Sequence, residues 1–359
     1  MHASLRRRRK QLRLRRNKLE FCIHTSLHIN QNTLMKPKET STHYILSSSP
    51  HAHAKCSVSR IMLDVIIALI PATAAGIWFF GLPAVWLIAT CISTCLVTES
   101  VCRLAMKRDN SIGDLSAVLT GLLLALNLPP ELPLWMAAVG SVFAITVAKQ
   151  AFGGLGYNPF NPALAARAFM LISFTGAMTT WCYPTGHSAV AAATGATPVD
   201  AVTCATPLAL IKKGDAAQLS ALRDLLFGNI GGCIGETCAI ALLVGAAYLL
   251  VRRVITWHIP VSFLVTMYIF AMCKGGGVPP VFHLLSGGAI LGACFMATDY
   301  VTSPITAKGK IAFGIGCGLL TMCIRLGGGY PEGVSFAILI MNAVTPLINR
   351  FTQPKPFGG

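Results

Sequence analysis

Apolar runs bounded by glycine, proline or basic residues recur along this chain. Ten can be drawn: Ile61–Phe80, Pro83–Val101, Leu115–Leu128, Leu132–Val147, Ala163–Trp181, Phe227–Val251, His258–Cys273, Val281–Thr298, Ile311–Ile324 and Val334–Ile348. Their continuity is that of membrane helices, not of the two-residue alternation of half-buried strands. Several are shorter than the ~20 residues that cross ~30 Å of hydrocarbon. Short runs ending at prolines, such as Pro129-Pro130, predict half-helices or helices buried within a bundle. The expected fold is an all-α integral membrane protein of about ten transmembrane helices. The two halves echo each other: Leu115-Ser116 and Leu285-Ser286 each open a short apolar piece, and Gly156-Tyr157-Asn158-Pro159 is answered by Gly329-Tyr330-Pro331. Five spans per half would invert one half relative to the other.

Composition narrows the class. Of 359 residues, 54% are hydrophobic and 12% charged, against about 25% charged in soluble domains, and mean hydropathy is +0.63. The net charge of +16 would suit a nucleic-acid partner, but its placement argues for membrane lipid and against nucleic acid. The cations sit in the first residues and in short loops, as the positive-inside rule requires. With the N-terminus inside, Arg103/Lys107/Arg108, Lys149, Arg252/Arg253, Lys308/Lys310 and Arg350/Lys355 all fall on the cytoplasmic side. Both termini are then cytoplasmic and the long loop is periplasmic. The expected organisation is a basic disordered arm over 1–43, a membrane half over 44–181, a loop over 182–226, a second half over 227–349 and a tail over 350–359. The arm has no adjacent apolar stretch of signal-peptide length, and Met35 is an alternative start. The 13 cysteines are scattered without a C-x-x-C pair, so they read as helix-packing filler and give no zinc or iron–sulfur spacing.

The long loop carries the chemistry. Asp200-Ala201-Val202-Thr203-Cys204-Ala205-Thr206 resembles the D-x-x-[ST]-x-A-T sequence on which a flavin transferase esterifies FMN phosphate to the last threonine. Thr206 is the expected acceptor. Ala205 permits close approach of the transferase, and Pro207 keeps Thr206 out of a helix interior. Asp200 is assigned to positioning the metal-bound FAD donor, and Thr203 to a hydrogen bond of the local turn. Thr197 is a competitor, in Thr194-Gly195-Ala196-Thr197-Pro198, but Ala191 stands where the aspartate should be. No Gly-rich dinucleotide turn follows a strand anywhere, and a covalent tether makes one unnecessary by raising the cofactor's effective concentration.

Wider segments carry a further resemblance. Ser57–Met62, Leu119–Ala125, the loop Gly153-Gly154-Leu155-Gly156-Tyr157-Asn158-Pro159-Phe160-Asn161-Pro162-Ala163, Arg253–Val265 and Gly328–Gly333 are similar to the RnfD component of the Rnf (Rsx) electron-transport complex, and so to the NqrB component of the sodium-pumping NADH:quinone oxidoreductase. Ala201, where glycine is expected, is one departure, and a compact loop before it is another. The resemblance implies a bacterial inner-membrane flavoprotein with FMN in phosphodiester linkage to Thr206, and leaves room for a second, noncovalent flavin. It implies as partners a second flavin-bearing subunit, iron–sulfur subunits and, during maturation, the flavin transferase. Electrons passing between ferredoxin and NAD would move Na+ or H+; the chain would be one component of a translocase, not catalytic alone.

Asp64, Glu99, Lys149, Glu236 and Asp299 lie in or beside apolar runs, where ions are costly and functional by default. Glu99 and Lys149 sit near helix ends and are expected to snorkel to the interface. Asp299, before Tyr300-Val301-Thr302-Ser303-Pro304, is a candidate for a cofactor or ion route. His258 beside Trp257 reads as an aromatic-belt neighbour. Asn158 and Asn161 are expected to satisfy local backbone groups, or to touch a partner or that second flavin. Two other readings compete: a secondary transporter with inverted repeats and no flavin, and a scaffold that only holds partner subunits.

Overall fold

A computed structural model describes residues 57–109, 111–181, 206–213, 222–228, 230–274, 278–328 and 332–353. All the regular structure among them is helical. Helices α1 (Val58–Phe80), α2 (Leu82–Ala105), α3 (Ser116–Leu126), α4 (Leu134–Ile145, running into a π turn at Thr146–Gln150), α5 (Pro162–Ser173) and a short α6 (Thr175–Met178) precede the long loop. Two short helices follow in the loop region, α7 (Pro207–Lys213) and α8 (Leu222–Phe227). Then come α9 (Ala239–Val251), α10 (His258–Lys274), α11 (Pro280–Leu285), α12 (Ala289–Leu291, running into a π turn at Gly292–Met296), α13 (Ala307–Gly327) and α14 (Val334–Thr352). The arm over 1–43, Gly329-Tyr330-Pro331, and Asp200, Thr203, Ala205 and Thr197 lie outside the described residues.

Among the described residues, only α1, α2, α13 and α14 are long and apolar enough to cross a membrane unaided. Their outward faces stay apolar, with Trp78, Trp86, Leu104 and Leu347 exposed, while Glu99, Lys149, Arg167, Glu236 and Arg325 are buried. An apolar exterior around a charged interior is the arrangement hydrocarbon selects, and it marks a membrane protein. The helices start where their caps allow. Ser57 accepts from the Arg60 N–H at 3.3 Å, and the Asn161 side chain accepts from the Ala163 and Leu164 N–H groups, with Pro162 in the first turn; both are standard N-terminal devices.

The expected repeat has a physical counterpart. α2 packs on α3 and α4, and α4 on α5; correspondingly α10 packs on α11 and α13, and α13 on α14. Equivalent elements of the two sets meet each other, α1 against α9 and α5 against α14. The α1–α9 pair runs antiparallel. Asp64, near the start of α1, is bonded to Tyr248 and Arg252 near the end of α9, and Phe79, at the end of α1, lies against Gly228, before α9 begins. Antiparallel packing of equivalent elements is what an inverted repeat produces.

The run expected as a helix over Phe227–Val251 is helical only from Ala239. The stretch before it is non-helical, and it replaces helical hydrogen bonds by pairing with the chain around the end of α3: the Ile234 N–H donates to Leu128 O at 3.2 Å and the Gly235 N–H to Leu126 O at 2.8 Å. A side chain on Gly235 would begin 2.7 Å from Leu126 Cβ, so only glycine permits this approach. α3 has 11 residues, about 16 Å of helix at 1.5 Å per residue, roughly half the hydrocarbon thickness. Similarly, the expected eighth span is broken at Ser286–Gly288, between α11 and α12.

Glu99 and Lys149 do not snorkel. Lys149 Nζ donates to both Glu99 carboxylate oxygens, at 2.9 and 2.8 Å, and to Ser116 Oγ at 2.8 Å. The Ser111 hydroxyl and the Gln150 amide donate to Glu99 Oε1 at 2.7 and 3.0 Å. Both charged side chains are almost wholly buried. The sequence places them near helix ends, but the π turn at Thr146–Gln150 directs Lys149 inward, where α2, α3 and α4 converge on one ion pair. Removing one partner strands the other charge. Lys149→Met is expected to cost about 3–5 kcal/mol, and adding Glu99→Leu to return most of it. Thermal unfolding of the detergent-solubilised protein measures both; a double variant as unstable as the single one would refute the pairing.

Candidate functional site

Thr206 lies immediately before α7 and caps it: its Oγ1 accepts from the Ala209 N–H at 3.2 Å, and Pro207 fills the first helical position, where no N–H is needed. Among the described residues Oγ1 acts only as an acceptor. An ester oxygen retains that capacity, so replacing the hydroxyl proton by a phosphoryl group would leave this bond in place. Thr206 is nevertheless 5% exposed. Its free side opens on a cavity of about 270 Å³ formed with Leu208, Gly231, Gly232, Glu236, Ser286, Gly287 and Glu332, among others.

Behind this cavity lies a buried charge cluster centred on Arg167, midway along α5. Its Nη1 donates to Asn127 Oδ1 at 2.7 Å. Its Nη2 lies 3.2 Å from Glu236 Oε1 and 3.5 Å from Cys233 Sγ, and also bonds Glu332 Oε2. The Asn127 amide nitrogen, at the end of α3, is committed to Leu123 O at 2.7 Å. One guanidinium therefore ties α3 and α5 to the segments before α9 and α14. Cys233, Glu236 and Glu332 offer ligand atoms within 4.8 Å of one another, but Arg167 stands among them, so a metal ion would have to displace a guanidinium already bonded to both carboxylates.

A second, larger cavity of about 770 Å³ is lined by Ser116, Thr120, Lys149, Asn158, Asn161 and Asp299, with apolar walls including Leu119, Leu249, Val254 and Phe295. Asp299 sits in the non-helical stretch after the π turn of α12, where Thr302 donates to it at 3.3 Å and the Val301 N–H at 3.4 Å. That is the unwound stretch expected there. Asn158 donates to Phe160 O at 3.0 Å, a local backbone bond as expected, and its Oδ1 is buried without a partner. Asn161 caps α5 and also reaches out of its own loop, donating to Met296 O at 3.3 Å. His258 stacks on Trp257 with ring centroids 4.3 Å apart.

Of the residues singled out in the sequence, the structure thus brings Thr206 and Glu236 to one cavity, and Lys149, Asp299, Asn158 and Asn161 to another. Asp64 joins neither, being paired with Arg252 at 3.2 Å. Sequence reasoning missed Arg167, at the centre of the site, and gave Glu332 no role beyond its place in the Gly328–Gly333 segment of the family resemblance. The signal was present: Arg167 interrupts Pro162–Ser173, an apolar helix, and an intramembrane ion is functional by default.

A model of the NQR2, RnfD, RnfE family matches residues 45–358. The D component of the Na(+)-translocating ferredoxin:NAD(+) oxidoreductase complex of Acetobacterium woodii is 51% identical over 316 residues, covering 87% of this chain and 95% of the relative. Its counterpart in the proton-translocating ferredoxin:NAD(+) oxidoreductase complex of Clostridium ljungdahlii is 46% identical over 328 residues, covering 88% and 96%. That of the ion-translocating oxidoreductase complex of Stutzerimonas stutzeri is 42% identical over 333 residues, covering 85% and 93%. With the family model spanning both membrane-embedded sets of helices and these relatives aligned along nearly their full length, the chain belongs to the NQR2, RnfD, RnfE family.

Proposed function

We propose that this chain is the FMN-carrying membrane component of a complex that couples electron transfer between ferredoxin and NAD to the movement of Na+ or H+. The observation that carries the reading is Thr206 itself: the last residue of the flavin-acceptor sequence is a helix-capping hydroxyl whose free side opens on a cavity that Glu236, Ser286 and Glu332 help to line. FMN bound there would supply one- and two-electron chemistry. The chain's own part is to hold the phosphoryl end, through the capped Thr206, and to keep water out of the charged cluster with Leu208 and Ile230. The relatives' names supply the redox partners and the ion movement, and they name different ions, so the family alone does not fix which ion moves. The remaining subunits, including the second flavin-bearing and iron–sulfur subunits, and the maturing flavin transferase are the proposed partners; the bacterial inner membrane is the proposed location.

The expected outcome is a fluorescent band for the denatured wild-type protein in a gel under ultraviolet light, lost in Thr206→Ala and kept in Thr197→Ala. Intact mass of the protein matured in its own host should exceed the bare polypeptide by one FMN phosphodiester. An unmodified mass, or fluorescence that survives Thr206→Ala, refutes the assignment and favours a flavin-free secondary transporter. A complex that keeps full activity with Thr206→Ala favours a scaffold.

The larger cavity supports the second, noncovalent flavin. It sets a few polar groups among apolar walls, as small-molecule sites do, with Asn158 Oδ1 as an acceptor to spare. Flavin extracted by mild acid from the Thr206→Ala protein is the expected result, and its loss on adding Asn158→Leu locates it.

For topology, Lys149 leaves the count of loop cations because it is buried; Arg103, Lys107, Arg108, Arg252, Arg253, Lys308, Lys310 and Arg350 carry the inside bias without it. We place both termini inside, the membrane halves at 44–181 and 227–349, and the loop over 182–226 outside. A reporter fused after Ala217 should read as periplasmic; a cytoplasmic signal reverses the orientation.

A further inference from the structure

The cavity beside Thr206 is furnished for an anion. Ser286, one of the residues lining the cavity, is 0% exposed, and its hydroxyl has no hydrogen-bond partner. Gly231, Gly232 and Gly287 line the same cavity, and among the described residues no acceptor meets their backbone N–H groups. Gly287 has φ +67°, a left-handed conformation that glycine adopts at no cost. A side chain there would begin 2.7 Å from Leu208 Cδ1 and 3.3 Å from Arg325 Nη2. The absence of that side chain is therefore what lets the first turn of α7 and the Arg325 guanidinium share one small space. Arg325, on α13, is 4% exposed. Its Nη1 donates to His283 O at 2.5 Å and its Nη2 to Ser286 O at 3.1 Å, while its Nε has no partner. Among the described residues no carboxylate lies in contact with it. Glu236 and Glu332 also line the cavity and oppose an anion, but both are held by Arg167.

Resting on the flavin-ester reading, we propose that this cavity is the seat of the phosphoryl group: the Ser286 hydroxyl and the N–H groups of Gly231, Gly232 and Gly287 donate to its free oxygens. Arg325 is a positioning residue that pins the Ser286 peptide and offsets the ester's negative charge. Unpaired amides and a hydroxyl around a small hole form an anion nest, and burial strengthens every charge-assisted bond made there.

The full-length protein, matured in its host and purified in detergent, tests this with three variants: Ser286→Ala, Arg325→Gln and Arg325→Lys. Intact mass first establishes whether the wild type carries the ester; a bare wild-type mass overturns the underlying reading, and with it the seat. Given the ester, the readouts are the ³¹P resonance of the phosphodiester and the rate at which an added phosphodiesterase releases flavin from the folded protein. Ser286→Ala and Arg325→Gln should each shift the resonance and accelerate release about tenfold, the worth of one charge-assisted hydrogen bond. Arg325→Lys should keep a release rate close to wild type. If Arg325→Gln does not fold, Ser286→Ala and Arg325→Lys decide. Unchanged resonance and release rate in a fully flavinylated Ser286→Ala, or a Lys variant that releases flavin severalfold faster than wild type, overturns the seat while leaving the Thr206 ester standing.

Discussion

A guanidinium buried where neither water nor lipid can solvate it must find all its partners in the protein, and Arg167 finds them in four side chains from three segments. Asn127, Cys233, Glu236 and Glu332 come from the end of α3, from the stretch before α9 and from the entry to α14. Removing any one would leave charge or amide unsatisfied in a low-dielectric interior, which is costlier than the bond itself. The cluster therefore fixes how the helix ends of the two sets converge. The cavity beside Thr206 exists because of it: its two carboxylates and two of its glycines belong to the segments that Arg167 gathers.

The broken helices follow from the same demand. Non-helical backbone at membrane depth survives only where other protein satisfies it. Ile234 and Gly235 meet it by donating to the backbone around the end of α3, and Arg325 meets it for the carbonyls of His283 and Ser286 after α11. Each break replaces helical hydrogen bonds with tertiary ones, so each sits where the opposite half supplies a partner or where an arginine bridges the gap. Polar side chains gather at the breaks for that reason: Glu236, Ser286 and Asp299 all lie in backbone that is not helical.

Hydropathy made the helical architecture legible; Leu115-Ser116 opens α3 whereas Leu285-Ser286 closes α11, and Gly329-Tyr330 lies outside the described residues, so the antiparallel α1–α9 pair, not the echoes, carries the repeat. Thr206 stood out because the acceptor sequence it resembles is local and contiguous. What stayed hidden is non-local. Arg167 and Glu332 are separated by 165 residues, and nothing in either neighbourhood announces that they meet. The non-helical stretch before α9 was read as helix because Ile230, Cys233 and Ile234 keep its hydropathy high, while pairing with another segment cannot be seen from composition. Glu99 and Lys149 were misjudged because their distance from a helix end suggests an exit to water, and a π turn that redirects a side chain leaves no pattern in the sequence.

The two cavities are joined by a short polar path. Asn127, which holds Arg167, also donates to Met296 Sδ at 3.6 Å, and Asn161, which lines the larger cavity, donates to Met296 O at 3.3 Å. Met296 ends the π turn of α12, and a π turn is a sparsely used geometry that recurs at functional sites. A change of charge beside Thr206 would bear on the carboxylates that Arg167 holds, and any answering shift of Asn127 would press on the turn that Asn161 and Asp299 flank. The reach of that coupling depends on whether the turn has two stable arrangements, since a packed core transmits displacement only through elements that do. Met296 is suited to such a place: it is unbranched and polarizable, so it can follow a small movement of either asparagine without opening a void.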